Sequence, residues 1–150
     1  MKLTTDYAIR TVVFLANCKD TVTVKDISMN TGISTHYLMK VLEPLKKIKI
    51  VKSMTGSKGG FLLELPPEKL TLWRIIRAME GPCYCMDCME HEYCSNYVNP
   101  HKCILRTYFD EFQKMKIEYF SGVTVAELQK GRNQKHHRIK VAVVGDSETW

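Results

Sequence analysis

The chain of 150 residues lacks any long hydrophobic run. None of its apolar stretches approaches the ~18 residues that a membrane-spanning helix needs, so no membrane association is predicted. Its first 20 residues show no charged segment followed by an unbroken apolar stretch, and therefore no secretory signal is predicted. These absences favour a cytoplasmic protein, in which cellular reductants keep cysteines as free thiols.

Known catalytic motifs are absent as well. The sequence has no G-x-S-x-G, no phosphate-binding loop, no H-E-x-x-H and no Rossmann glycine pattern. We therefore predict that the protein is not an enzyme, with a thiol oxidoreductase using Cys85 and Cys88 as a remote alternative. Because 45% of the residues are hydrophobic, the chain can bury a core, and a folded protein is expected.

Cysteine is scarce outside one segment. Residues 83–103, CYCMDCMEHEYCSNYVNPHKC, hold five of the six cysteines. In a reducing compartment such a cluster indicates metal ligands or redox-active thiols rather than disulfides. Three interpretations stay open: an iron–sulfur cluster bound by soft thiolates, a structural zinc site and a bare thiol switch. The zinc site would use Cys85, Cys88, Cys94 and Cys103.

Positive charge is concentrated in the N-terminal half. The formal net charge is +6, and residues 1–80 hold 13 lysine and arginine residues against 7 acidic ones. The densest basic stretch runs from Lys40 to Lys58. A localised basic surface of this kind indicates a polyanionic partner such as double-stranded DNA.

The spacing of apolar residues predicts three helices in the first 48 residues. The first is capped by Thr4 or Thr5, and the second stops at Gly32. The third has Ser34 as a plausible N-cap, and Pro44 should bend or shorten it. Its buried stripe is predicted to comprise Tyr37, Leu38, Val41, Leu42 and Leu45.

The next segment predicts a β-hairpin. Two short apolar runs, IKIVKS and FLLEL, flank the glycine-containing MTGSKGG. Three helices followed by a hairpin are the layout of a winged helix-turn-helix, whose third helix enters the major groove of DNA. We therefore predict a mainly α fold with a small β-wing. Candidate DNA contacts are Ser34, Thr35, His36, Tyr37 and Lys40 on the third helix and Lys58 at the wing tip.

The C-terminal half predicts three further helices. LTLWRIIRAMEG forms one that ends at Gly81, and Thr124 with Glu127 has the pattern of a capping box that starts the last. Between them lies a long amphipathic stretch that needs a partner surface. Its apolar residues are Leu105, Tyr108, Phe109, Phe112, Met115 and Tyr119. The tail from residue 131 has no clear pattern and is expected to be mobile.

Several segments resemble the Rrf2 family of bacterial regulators, which includes the IscR-type and NsrR-type iron–sulfur regulators. The resemblance covers about residues 1–128 and rests on TTDYAIRTVVFLA, VTVKDIS, ISTHYLMKVLEPLKK, IVKSMTGSKGGFLLELPPE, LTLWRIIRAMEGP and the spaced cysteines. It implies a homodimeric repressor that binds a partly palindromic operator. In this layout residues 1–81 form the DNA-binding domain, 82–103 the cluster-binding loop and 104–130 the dimerisation helix with a short terminal helix.

The resemblance also implies a [2Fe–2S] or [4Fe–4S] cluster that senses nitric oxide, iron or redox state. The matching ligands are Cys88, Cys94 and Cys103. Candidates for a fourth ligand are Asp6, His101 and Cys85, and Asp6 is preferred because NsrR-like proteins have an aspartate there that can ligate across the dimer. Family alternatives are a cofactor-free or zinc-containing regulator that responds to thiol state or to a protein partner.

Four positions depart from the family pattern. IscR-like proteins have a histidine where this chain has Arg106. A glycine is usual where Lys49 stands, before the first strand of the wing. In the wing itself Thr55 and Ser57 replace a frequent arginine and a frequent proline, so both are candidate DNA contacts with a different base preference.

Overall fold

The structure is a computed structural model that describes residues 1–56, 59–90 and 103–130. Its helices are α1 (Leu3–Ala16), α2 (Val24–Thr31), α3 (Thr35–Lys47), α4 (Leu72–Glu80), α5 (Asp87–Glu90), α6 (Ile104–Gly122) and α7 (Val125–Lys130), with a 3₁₀ turn at Pro67–Lys69. The strands are β1 (Val51–Met54) and β2 (Gly60–Leu63). Among the described residues no helix combines the length and apolar character needed to cross a membrane.

Helix α1 lies at the centre of the fold, where it packs against α2, α3, α4, α7 and β2. Its Ala8, Val12 and Leu15 are buried, at the spacing that places them on one helical face. They meet apolar side chains from every neighbouring element. The other large, fully buried residues among those described are Ile27, Leu38, Val41, Leu42, Leu45, Ile50, Val51, Leu70, Ile75 and Val125.

The start of α1 differs from the sequence prediction. Neither Thr4 nor Thr5 caps it, because the N-cap is Lys2 and Thr5 is fully buried inside the first turn. The hydrogen-bond acceptor at this end of α1 is instead the carboxylate of Glu80, at the end of α4. It accepts hydrogen bonds from the Lys2 backbone N–H at 2.8 Å and from the Thr5 hydroxyl at 2.7 Å. A contact across 75 residues thus replaces the local cap, and local sequence does not reveal it.

The helix-turn-helix follows the prediction except at Tyr37. Gly32 ends α2 with φ 72°, a left-handed conformation that glycine adopts without a steric penalty. Ser34 occupies the N-cap position of α3, although its side chain makes no capping hydrogen bond. Tyr37 is 40% exposed rather than core. Helix α3 runs through Pro44 to Lys47, so it is not shortened there, and the alternative expectation of a bend stays a prediction.

The predicted hairpin is confirmed as an antiparallel pair in which Val51 faces Leu63 and Met54 faces Gly60. Two backbone hydrogen bonds between Val22 and Phe61 join it to the segment before α2. Lys49, just before β1, has φ 57°. That left-handed conformation explains why glycine is usual there.

The C-terminal helices also match. Gly81 follows α4, and the Thr124–Glu127 capping box is confirmed by hydrogen bonds of 2.8 and 3.2 Å. The chain between α6 and α7 is fixed to the segment before α4, because the Leu72 and Val125 amides donate to Val123 and Leu70 at 2.8 Å. The expected mobile tail lies outside the described residues.

Candidate functional site

The N-terminal end of α3 presents the predicted DNA-reading surface. Ser34, Thr35, His36, Tyr37 and Lys40 are all exposed, whereas Leu38, Val41 and Leu42 on the opposite side are buried. Hydroxyl, imidazole and ammonium groups are suited to base edges and phosphates. The predicted exposure therefore holds for Ser34, Thr35, His36 and Lys40, and Tyr37, which was also assigned to the buried stripe, lies on the exposed side as well.

Tyr37 organises that surface. Its ring lies edge-on to the rings of Tyr7 and His36, with centroids 5.6 and 5.7 Å away. The Lys40 ammonium stands 5.6 Å from the centre of the same ring, a cation–π distance. The tyrosine thus connects α1 to α3 and holds the Lys40 ammonium on the exposed side of α3.

The wing lies beside α3 in sequence and carries the remaining DNA candidates. Thr55 is exposed, and Ser57 and Lys58 lie outside the described residues. Adding a Cβ at Gly60 would bring it to 2.6 Å from the Val22 carbonyl oxygen. Glycine is therefore required where the second strand meets the body of the domain.

The described cysteines are free thiols, and the first turn of α6 ties two of them to neighbouring elements. Cys103 is the N-cap of α6, and Arg106, one turn later, donates to the Cys88 carbonyl at 3.2 Å. Cys88 belongs to the short helix α5, which the sequence did not predict. Arg106 thereby holds the backbone that carries Cys88 against the helix that begins at Cys103. Cys94 and His101 lie outside the described residues.

Two further residues of α6 hold the start of the cysteine segment. Gln113 is 7% exposed. Its amide oxygen accepts a hydrogen bond from the Cys85 thiol at 2.9 Å, and its amide nitrogen donates one to the Cys83 carbonyl at 3.4 Å. Lys116 donates to the same carbonyl, and its ammonium lies 5.9 Å from the centre of the Trp73 ring. Residues 106, 113 and 116 share one side of the helix, so α6 anchors the segment at three points.

Cys83 links the segment to α4. Its thiol donates to the second carboxylate oxygen of Glu80 at 3.2 Å, and burial together with this bond raises the pKa of the thiol, against the opposing charge of Lys116. Burial alone would raise the pKa of Glu80, but hydrogen bonds from Thr5, the Lys2 backbone and Cys83 outweigh it and lower that pKa. Glu80 is therefore an ionised acceptor, and Cys83 a protonated donor.

Asp6 stands on the first turn of α1, next to the residues that Glu80 holds. Its carboxylate pairs with Arg10 at 2.9 Å, and both side chains are substantially exposed. Within residues 1–56, 59–90 and 103–130, no three Cys, His, Asp or Glu side chains are grouped closely enough to hold a metal ion. The proposed ligand set would therefore need Cys94, which lies outside these residues.

The thiols present fit an iron–sulfur cluster by their chemistry. Thiolates are the soft ligands that such clusters use. Cys103 lies at the positive end of a 19-residue helix, where the helix dipole favours negative charge. Arg106 has no lone pair to offer a metal, and its observed role is to bind the Cys88 carbonyl. It therefore serves as a brace rather than as a substitute ligand for the family histidine.

Helix α6 exposes an apolar seam. The exposed members Leu105, Tyr108, Phe112, Met115 and Tyr119 follow one another at intervals of three, four, three and four residues. That repeat places them along one stripe, as in the a and d positions of a coiled coil. The opposite side of α6 packs against α4. A large apolar surface of this kind marks an interaction site.

Sequence reasoning missed Glu80, Gln113 and Lys116. No signal pointed to the last two, because they lie on the packed side of α6 among apolar residues such as Phe109 and Phe120. No sequence signal pointed to Glu80 either. Its hydrogen-bond partners are 3 to 78 positions away along the chain, and one of them is a backbone amide.

Comparisons with known proteins agree with this architecture. A family model described as "Rrf2: Iron-dependent Transcriptional regulator" matches residues 1–131. The HTH-type transcriptional regulator NsrR of Bacillus licheniformis is 38% identical over 96 residues, which are 61% of this chain and 67% of that protein. The protein of the same name from Halalkalibacterium halodurans is 26% identical over 145 residues, 94% and 99% of the two chains. Among solved structures, CymR (YrzC), the global cysteine regulator of B. subtilis, superimposes with a TM-score of 0.71 and 25% identity over 87% of this chain and 95% of that one.

Proposed function

This chain belongs to the Rrf2 family of transcriptional regulators, and we propose that it is a homodimeric repressor whose operator affinity depends on an iron–sulfur cluster. The proposed ligands are Cys88, Cys94 and Cys103 of one subunit and Asp6 of the other. The proposed DNA contacts are Ser34, Thr35, His36, Tyr37, Lys40, Thr55, Ser57 and Lys58. When bound, the cluster supplies a group that nitric oxide, oxidants or iron shortage can alter.

The observation that carries the proposal is the attachment of the cysteine segment to α6. Through Arg106 and the Cys88 carbonyl, the backbone that carries the Cys88 thiol is held to the same helix that exposes the apolar seam. A change in what this thiol binds thus acts on the element proposed to join the two subunits. In a dimer that reads two half-sites, the distance between the reading helices decides operator affinity.

Cys85 is disfavoured as a cluster or zinc ligand. A ligating cysteine must be a thiolate, whereas the Cys85 thiol donates to the buried amide oxygen of Gln113 at 2.9 Å. Its loss as a donor would leave that oxygen unsatisfied. The carboxylate of Asp6, by contrast, is partly exposed and only has to exchange Arg10 for the metal. This supports Asp6 over Cys85 as the fourth ligand. The choice between Asp6 and His101 is made by the alanine variants described next.

The proposal is tested by anaerobic purification. The protein should be brown, with iron and acid-labile sulfide bound, and Cys94→Ala should remove the colour while Cys85→Ala should retain it. Asp6→Ala and His101→Ala are compared by their cluster spectra, and only the former should change. A colourless protein that carries one zinc ion per chain after reconstitution would contradict the cluster and support the zinc-containing alternative.

A cofactor-free regulator is the second candidate, and the likeness to CymR favours it. Such a protein would bind promoter DNA without metal, and its affinity would change with thiol oxidation or with a protein partner. Fluorescence anisotropy of the metal-free protein with and without a mild oxidant separates this candidate from the first. Absence of promoter binding in every state would refute both.

A further inference from the structure

Glu80 joins two parts of the chain that are far apart in sequence. One carboxylate oxygen accepts the Lys2 backbone N–H at 2.8 Å and the Thr5 hydroxyl at 2.7 Å. The other accepts the Cys83 thiol at 3.2 Å. Each oxygen of one side chain therefore serves a different part of the protein, the first turn of α1 or the start of the cysteine segment.

The Cys83 end of this bridge follows the position of the cysteine segment. Its carbonyl accepts hydrogen bonds from Gln113 and Lys116 of α6, and its backbone has φ 53°. A residue with a Cβ is held at such an angle only when its surroundings fix it. Any shift of the segment relative to α6 would therefore be passed to Cys83 and to the carboxylate that it touches.

The α1 end of the bridge, at Thr5, lies two residues from Tyr7, whose ring contacts the predicted DNA-reading surface at Tyr37. Thr5 is fully buried, so a displacement of its hydroxyl moves the whole first turn. Tyr7 on that turn touches Tyr37 of α3 with rings at 68°, and Tyr37 in turn positions Lys40. The described residues thus form an unbroken series of contacts from Cys83 to the reading helix.

We propose that Glu80 is a positioning residue that couples the state of the cysteine segment to the orientation of the DNA-reading helix, through Thr5 and the Tyr7–Tyr37 contact. The inference rests on the proposed cluster-dependent DNA binding and adds the route by which that dependence arises. Coupling requires that a change at one end of the series alters the free energy at the other end, which variants along the series can measure.

Three substitutions cut the series at different points. Glu80→Gln keeps one carbonyl oxygen for Lys2 and Thr5 but presents an amide group, which cannot accept, to Cys83. Thr5→Val removes the hydroxyl at nearly constant volume, and Cys83→Ala removes the thiol. Glu68→Gln, an exposed carboxylate in the 3₁₀ turn, makes the same chemical change outside the series and is the matched control.

The measured quantity is the ratio of operator affinities of cluster-loaded and cluster-free full-length dimer, determined by fluorescence anisotropy at fixed salt. Each cut should lower that ratio by about two- to thirtyfold, with the cluster absorption spectrum unchanged. Glu68→Gln should leave the ratio at its wild-type value. Since all three cuts act on one series, the Thr5→Val/Cys83→Ala double variant should lower the ratio no further than the stronger single variant.

A merely structural Glu80 gives a different result. In that case Glu80→Gln would have a lower thermal midpoint than wild type in both cluster states, measured by circular dichroism, but the same affinity ratio. That outcome overturns the inference. Loss of the cluster from Glu80→Gln or Cys83→Ala also overturns it, because Cys83 would then serve the cofactor rather than the route. A wild-type protein whose affinity does not depend on the cluster refutes the proposed function itself, and the inference with it.

Discussion

Dimerisation through the apolar seam of α6 can be tested by truncating Phe112 to alanine. The Phe112 residue is 55% exposed in the single subunit, which corresponds to roughly 110 Å² when a full aromatic side chain is taken as about 200 Å². Truncation removes roughly 80 Å² of this, worth about 2 kcal/mol per subunit at about 25 cal/mol per Å². Two subunits lose about 4 kcal/mol, so the dimer should dissociate about a thousandfold more readily.

The assay is sedimentation equilibrium over a wide range of protein concentration. Alanine is a better helix former than phenylalanine, so α6 itself should persist, and circular dichroism verifies this. Met29→Ala is the control, because Met29 is 66% exposed but lies on α2, away from the seam. If Phe112→Ala and Met29→Ala have the same dissociation constant as the wild type, the seam is not the dimer interface.

Three further predictions concern charge and backbone strain. Lys40→Ala should flatten the slope of log affinity against log salt by about 0.9 for each phosphate that is no longer neutralised, hence about 1.8 per dimer, as measured by anisotropy titrations. Because the pKa of Glu80 is lowered in the folded state, the stabilisation by its carboxylate is complete above the ordinary pKa of glutamate and is lost as pH falls through the folded-state pKa. The free energy of unfolding, measured in urea at a series of pH values from about 5 to 3, should therefore fall more for wild type than for Glu80→Gln. Lys49→Gly should raise the free energy of unfolding by about 1 kcal/mol because φ 57° disfavours a Cβ, whereas Lys49→Ala, which keeps the Cβ, should not.

Local sequence predicted the elements of this fold well because their boundaries depend on neighbouring residues. Gly32 ends α2 through its own φ angle, and the Thr124–Glu127 capping box closes within four residues. The mistaken assignments arise where a distant residue decides. Tyr37 fits the apolar spacing of α3, but it lies in the first turn, beyond the edge of the core, and finds Tyr7 as its partner.

The candidate site was predictable only as a set of residue types. The exposed polar face of α3 follows from the period of its buried side, since whatever is not in the core must face outward. The attachment of the cysteine segment was hidden, because Gln113 and Lys116 bind mainly a backbone carbonyl and any residue could supply that acceptor. Ligation by Cys88, Cys94, Cys103 and Asp6 stays a prediction, as do the contacts assigned to DNA.

The first turn of α1 concentrates the contacts on which regulation would depend. Thr5, Asp6 and Tyr7 are consecutive, so their side chains leave the helix about 100° apart and contact Glu80, Arg10 and Tyr37 respectively. A small rotation of this turn alters all three contacts, while the buried apolar core begins only at Ala8. Hydrogen bonds to a charged acceptor contribute about 1.5–3 kcal/mol each, and allosteric coupling energies are typically about 1–3 kcal/mol. Loss of a single hydrogen bond at Glu80 is therefore comparable in free energy to the coupling that the proposed regulation requires.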